Sequence, residues 1–161
     1  TARHPFHLTP SAPMVKGHMR APVEAESPAT VEAAFYDALQ RGDLDALMAC
    51  WADEDEMVCI HPGGGRQVGV AAIRDAFAAL LAEGGLDLQA RQVRRLTAPG
   101  LAVHSVMERV VVVLDGQPSE AWVVATNVFQ LTTRGWRMVA HHASAAPAAE
   151  PEAVRAARLL H

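Results

Sequence analysis

The residues with chemical potential are few and mostly sit where a strand should be apolar. His104, Glu108, Asn127, His142 and Ser144 interrupt β-branched, alternating runs in the C-terminal half, and His61 stands before Pro62-Gly63-Gly64-Gly65. Asp115-Gly116 is a strong two-residue hairpin turn, which sets Leu114 opposite Gln117, Glu108 opposite Val123 and His104 opposite Asn127. A second two-residue turn at Arg134-Gly135 sets Asn127 opposite His142 and Ala125 opposite Ser144. Directly opposed residues share a face, so His104, Asn127 and His142 are expected to form one row across three strands. Val106, Val110, Phe129 and Leu131 accompany them, with Glu108 nearby, as an apolar wall with a few polar groups would. The other face, with Ser105, Met107, Arg109, Trp122, Thr126 and His141, is mixed enough for a subunit interface.

Rival chemistries lack their signatures. His61-Pro62-Gly63-Gly64-Gly65 loosely echoes a lipase oxyanion loop, but the chain contains no G-x-S-x-G elbow. The same glycines lack the GK[ST] ending of a phosphate loop. His61, His104, His142 and Glu108 have the donor types for zinc or iron without a diagnostic spacing, so no metal and no cofactor is expected. Asp53-Glu54-Asp55-Glu56 follows a helix and reads as a solvated loop. Cys50 and Cys59 form neither a CxxC motif nor a disulfide framework and read as reduced core thiols.

The elements that must position these groups follow from periodicity. Ser27-Pro28 is an N-cap serine with proline at the first helical position. Val31, Phe35, Ala38 and Leu39 then make one apolar stripe, ended by Gly42. Asp43 caps a shorter helix bearing Leu44, Leu47, Met48 and Trp51; Trp51 is placed to line a cavity or to fill the core. Met57 to Ile60 is a short strand. A third helix is expected from Val70 to about Ala82, with Ile73, Phe77, Leu80 and Leu81 inward and Gly84-Gly85 at its end. From Leu86 the period becomes two, giving strands at 86–97, 101–114, 118–131 and 136–145, with a bulge between Gln89 and Arg95. Helices first and a meander of long strands afterwards predict an α+β fold: a cone-shaped roll of N-terminal helices packed on a curved antiparallel sheet.

A chain of 161 residues, 50% hydrophobic, supports one core of ordinary size. A net charge of −4 and a pI near 6.0 leave no electrostatic footprint for nucleic acid or an anionic membrane. No run approaches the roughly 18–20 apolar residues of a membrane span. Residues 1–27 are proline-rich and aperiodic, with Gly17-His18-Met19 like a cloning junction, and read as a flexible leader or vector-derived residues. The domain is expected over 28–147, with a tail or short helix over 148–161. A cytoplasmic protein is expected.

The stretch VEAAFYDALQRGDLDALMACWADEDEMVCIHPGG, with TNVF and GWRMVAHHAS later, resembles the nuclear transport factor 2-like superfamily, in its SnoaL-like and ketosteroid-isomerase-like branch of small bacterial proteins. The resemblance spans roughly 28 to 147. It implies a hydrophobic pocket, a homodimer through the sheet, and in the isomerase a base, an aspartate before a proline after the first strand. Here that place holds His61, before Pro62. The isomerase's oxyanion tyrosine falls at Phe35, with Tyr36, the only tyrosine, about 100° further round the helix. Its protonated aspartic acid has no counterpart, so a steroid isomerase of the known kind is not expected. A histidine base suits neutral pH.

Two function classes therefore stand. One is an enzyme abstracting a proton next to a carbonyl, isomerase- or cyclase-like, with His61 as base and the Asn127/His142 pair orienting substrate or stabilising an enolate. Trp51, His104, Glu108, Phe35 and Tyr36 would contact a small hydrophobic or weakly polar organic ligand. The other is a non-catalytic ligand-binding or oligomerisation module, a class that includes the association domain of calmodulin-dependent kinases, which shares the fold and a similar closing strand.

Overall fold

The computed structural model describes residues 27–147; the leader before Ser27 and the expected tail over 148–161 lie outside the described residues. The helices form where the sequence punctuates them. Helix α1 (Pro28–Arg41) opens with Ser27 Oγ accepting from the Thr30 amide at 3.1 Å and closes on Gly42 at φ 67°, the left-handed conformation a glycine adopts without strain. Asp43 caps α2 (Leu44–Ala49) through the Ala46 amide. Helix α3 (Val70–Leu80) buries Ile73 and Phe77, with Leu81 just beyond it.

The strands are β1 (Val58–Ile60), β2 (Arg66–Val68), β3 (Leu88–Ala98), β4 (Leu101–Leu114), β5 (Gln117–Thr132) and β6 (Gly135–Ala146). They form one sheet in the order β2-β1-β6-β5-β4-β3. The antiparallel expectation needs one amendment. β1 runs parallel to β6, so the sheet is mixed, and the short β2 hairpins back onto β1 where the sequence promised only a glycine loop. The expected bulge in β3 falls between Arg91 and Arg94, with Gln92 at φ 45°. Asp115 and Gly116 both take positive φ, as a two-residue I′ turn requires, and β4 pairs with β5 in the expected register throughout.

The β5–β6 register differs from expectation, and parity explains the consequence. The turn is Thr133-Arg134, setting Thr132 opposite Gly135. That displacement moves the pairing by two positions and leaves every face unchanged. Further on, Phe129 opposes Met138 while Val128 opposes Ala140, so Val139 is an extra residue in β6. One inserted residue flips every side chain beyond it. Asn127 therefore opposes His141, not His142. The bulge lies beside Met138, whose amide donates to Cys50 at 2.8 Å and whose carbonyl accepts from Ala52 at 2.9 Å.

The helices pack on the concave face around Phe35, Leu47, Phe77, Val106, Phe129 and Met138, all fully buried. The loop after α3 crosses the end of α1 at a distance only glycine permits. A Cβ on Gly85 would lie 1.9 Å from the Gln40 carbonyl oxygen. Gly85→Ala is expected to destabilise by at least about 2 kcal/mol, as forced backbone displacement in a packed crossing does, read as the urea midpoint. An unchanged midpoint would show that the crossing can open freely. Among the described residues no helix is long and apolar enough to cross a membrane.

Candidate functional site

The concave face of β4, β5 and β6 carries His104, Asn127 and His141 in one row, since each opposes the next in register. Two acids join them: Glu108 from β4 and Glu32 from α1. All five are buried, at 4% exposure or less. Such groups need partners, and here they share one network. Asn127 is its hub. Its Nδ2 donates to Glu32 Oε2 and to the Tyr36 hydroxyl, both at 3.2 Å, and its Oδ1 faces His141 Nδ1 at 2.6 Å. Glu32 Oε2 also lies 2.9 Å from His104 Nδ1. Tyr36 donates onward to Glu108 Oε1 at 2.8 Å.

One end of this network opens on a cavity of about 160 Å³. Its walls are aliphatic and aromatic, with Leu39, Phe77, Leu88 and Val110 prominent, and its polar side chains are Glu108, His61 and His141. Burial pushes the Glu108 carboxyl up from 4.5 to about 7, against the opposing pull of the Tyr36 hydrogen bond, with the Glu32 charge adding to the rise. Burial pushes the Tyr36 phenol well above its usual range, and the Glu108 charge adds to this. Burial drives His141 down to about 3, helped by His61 and His142, so it stays neutral at any ordinary pH.

His61 is half-buried, edge-on to Phe77 at 4.8 Å and to His141 at 6.1 Å between ring centres. Burial lowers its pKa. Its Nε2 lies 3.5 Å from Cys59 Sγ. Burial pushes that thiol up to about 12, so it stays protonated. A neutral imidazole carries one ring N–H, so His61 on the cavity wall can donate a hydrogen bond.

The expected site residues separate. His61 and Glu108 line the cavity, and Asn127 and Tyr36 hold the groups that do. His142 does not. It is exposed on the convex face opposite Thr126, because the Val139 bulge turned it there. Ser144 is turned out for the same reason and opposes Val124, not Ala125. Phe35, Trp51 and His104 stand behind the wall: Phe35 packs edge-on against Tyr36 and Phe77, while Trp51 lies tilted against Phe77 and His104 tilted against Phe129. Tyr36, rather than Phe35, carries the hydroxyl into the network. Two participants escaped the sequence. His141 was hidden by the bulge. Glu32 lies one residue round from the apolar stripe and four before Tyr36, and that spacing was the available signal. Among the described residues no group of three or more His, Cys, Asp or Glu is arranged to hold a metal ion.

The sequence pattern of the SnoaL-like domain matches residues 29–149. No curated protein matches the sequence significantly. Among solved structures, the chain is similar to a protein from Thiobacillus denitrificans provisionally named a calcium/calmodulin-dependent protein kinase type II association domain. The two are 34% identical, with a TM-score of 0.68 over 75% of this chain and 96% of that one. It is also similar to a protein of Streptomyces avermitilis provisionally named a dehydratase of the nuclear transport factor 2-like family. There the identity is 27% and the TM-score 0.67, over 74% and 94% of the two chains. The CaMKII hub of S. rosetta shares the fold at 20% identity, with a TM-score of 0.60 over 73% and 93%.

Proposed function

We propose, from the premise that the chain belongs to the SnoaL-like domain family of nuclear transport factor 2-like proteins, that its cavity is an acid–base site for a small, largely apolar carbonyl compound. The observation that carries this reading is Glu108: a buried carboxyl, held by Tyr36, lining an apolar cavity, with a pKa near 7. A base poised near the working pH is what general catalysis favours. The Glu108 carboxylate takes a proton from the carbon beside the carbonyl, and the C–H electron pair moves to the carbonyl oxygen as an enolate. His61, on the cavity wall, donates its ring N–H to that charge, and Tyr36 fixes Glu108 Oε1 so that the other oxygen meets the substrate. Returning the proton to a different carbon completes an isomerisation. Glu108 thus takes the role that sequence position offered to His61. The provisional dehydratase name of the Streptomyces relative is compatible with chemistry of this kind.

The test is hydrogen–deuterium exchange beside the carbonyl of cyclohexanone, followed by NMR. The exchange rate is expected to rise with pH and level off above about 7, because the ionised form of Glu108 is the active one. Background exchange at every pH would remove the reading.

The convex face supports a homodimer. Leu96, Val103, Val128, Ala140 and Val58 run as one apolar row across five strands. Val128→Lys is expected to convert a dimer to monomers in sedimentation, since it places a charge at the middle of that row. A dimer that persists would move the interface elsewhere. The likeness to the association domain favours a second reading, an assembly module with no turnover, in which this face is the functional surface. Two free buried thiols suit a reducing cytoplasm.

A further inference from the structure

We infer that the cavity selects a single-ring ligand carrying a hydroxyl group, bound through His141 Nε2, and that Glu32 and Tyr36 are the positioning residues that make this nitrogen a permanent acceptor. The inference rests on the acid–base reading only for the carbonyl; its own basis is the direction of each hydrogen bond in the buried network.

Glu32 Oε2 is a carboxylate oxygen and accepts, so the Asn127 atom facing it is the amide nitrogen. Tyr36 spends its hydrogen on Glu108, so its oxygen accepts from the same nitrogen. Both neighbours therefore demand one orientation of Asn127, with Oδ1 toward His141. A side-chain oxygen at 2.6 Å from His141 Nδ1 requires the ring hydrogen there. His141 holds one ring hydrogen, since burial keeps it neutral. Its Nε2 is then a bare lone pair. The ring lines the cavity, and Nε2 is not among the buried polar atoms left without a partner. An acceptor that cannot turn into a donor excludes a carbonyl or ether oxygen at that place and takes a hydroxyl.

The size of the ligand follows from the space. An apolar cavity of about 150 Å³ holds benzene, and this one offers about 160 Å³. A six-membered ring fits. With Glu108 and His61 on the same cavity wall serving a carbonyl, the matching class is a monocyclic hydroxyketone.

Two measurements on the intact chain test this. In ¹⁵N-labelled protein, His141 is expected to show a protonated Nδ1 and an unprotonated Nε2. The double variant Glu32→Leu/Tyr36→Phe, which removes both groups that demand the amide nitrogen and so frees Asn127 to turn over, is expected to give a mixture of both ring tautomers. Glu32→Gln/Tyr36→Phe, whose glutamine oxygen still accepts, is expected to restore the single form. A reversed tautomer in the parent protein, or a folded Glu32→Leu/Tyr36→Phe variant with an unchanged one, would overturn the inference; the parent spectrum decides if that variant does not fold. In the second measurement, 3-hydroxycyclohexanone is expected to bind at least tenfold more tightly than 3-methoxycyclohexanone, and to shift the His141 Nε2 resonance. Equal binding, tighter binding of the methoxy compound, or no binding of the hydroxyketone at millimolar concentration would overturn it. Binding is read without turnover. Tight hydroxyketone binding with no proton exchange would remove the catalytic reading and keep this one. Exchange without discrimination would do the reverse.

Discussion

Glu108→Gln is expected to give an inactive protein that is more stable than its parent above neutral pH. Glutamine keeps the shape and still accepts the Tyr36 hydrogen bond, but it cannot take a proton. Loss of a general base costs about 10²–10⁴-fold in rate. Folding raises the Glu108 pKa from 4.5 to about 7, so the folded chain binds the proton more tightly than the unfolded one. Stability from this group is therefore fully present below about 4.5 and is lost as pH rises through about 7. At about 1.4 kcal/mol per pH unit, the whole rise is worth about 3 kcal/mol. Urea denaturation of both proteins at pH 5 and pH 8 isolates the effect. The variant should gain about 2–3 kcal/mol on its parent between the two values, with any cost of burying the amide cancelling. His141 acts in the opposite sense. Its depressed pKa makes both proteins lose stability as pH falls below about 6.5, and the comparison removes that limb too. A difference that does not change with pH would mean that Glu108 titrates normally and is no poised base.

Asn127→Leu is expected to destabilise the domain as strongly as hollowing out its core would. The side chains are similar in volume, so the cost is electrostatic rather than steric. Glu32 loses one of its donors, Tyr36 loses the donor to its oxygen, and the His141 N–H is left without an acceptor. Each buried polar group left unmatched costs about 1–3 kcal/mol. A loss of about 3–5 kcal/mol follows, measured as the free energy of urea unfolding. A loss under about 1 kcal/mol would mean that water replaces the amide and that the network is not closed. The double variant Asn127→Leu with His141→Leu should recover part of the loss, because it removes one orphaned group along with its partner.

Much of the site was legible because local rules govern it. The Asp115-Gly116 turn permits one register for two long strands, and that register placed His104 and Glu108 correctly against β5. Ser27, Gly42 and Asp43 marked the helix ends through their own hydrogen bonds and φ angles. Position along the chain also put His61 at the cavity, beyond β1 and before a proline. Glu32 and Tyr36 were harder. A helix of mixed character buries a wider arc than its apolar stripe, and only the facing strand reveals which neighbours of the stripe turn inward.

The sequence by itself determined the helices, the first strand and the four long strands, their order, the first hairpin's register and the polar residues available to a pocket; the short β2 was not among them. Turn chemistry, capping and periodicity act over a few residues and need nothing distant. The choice between His141 and His142 was made elsewhere. It hangs on one extra residue, Val139, beside Met138, which bonds the Cys50–Ala52 segment on the side of β6 that β1 also occupies. Strand side chains alternate with a period of two, so a single bulge reverses everything that follows. A contact between residues some ninety positions apart in sequence thus settled which histidine faces the cavity and which faces solvent.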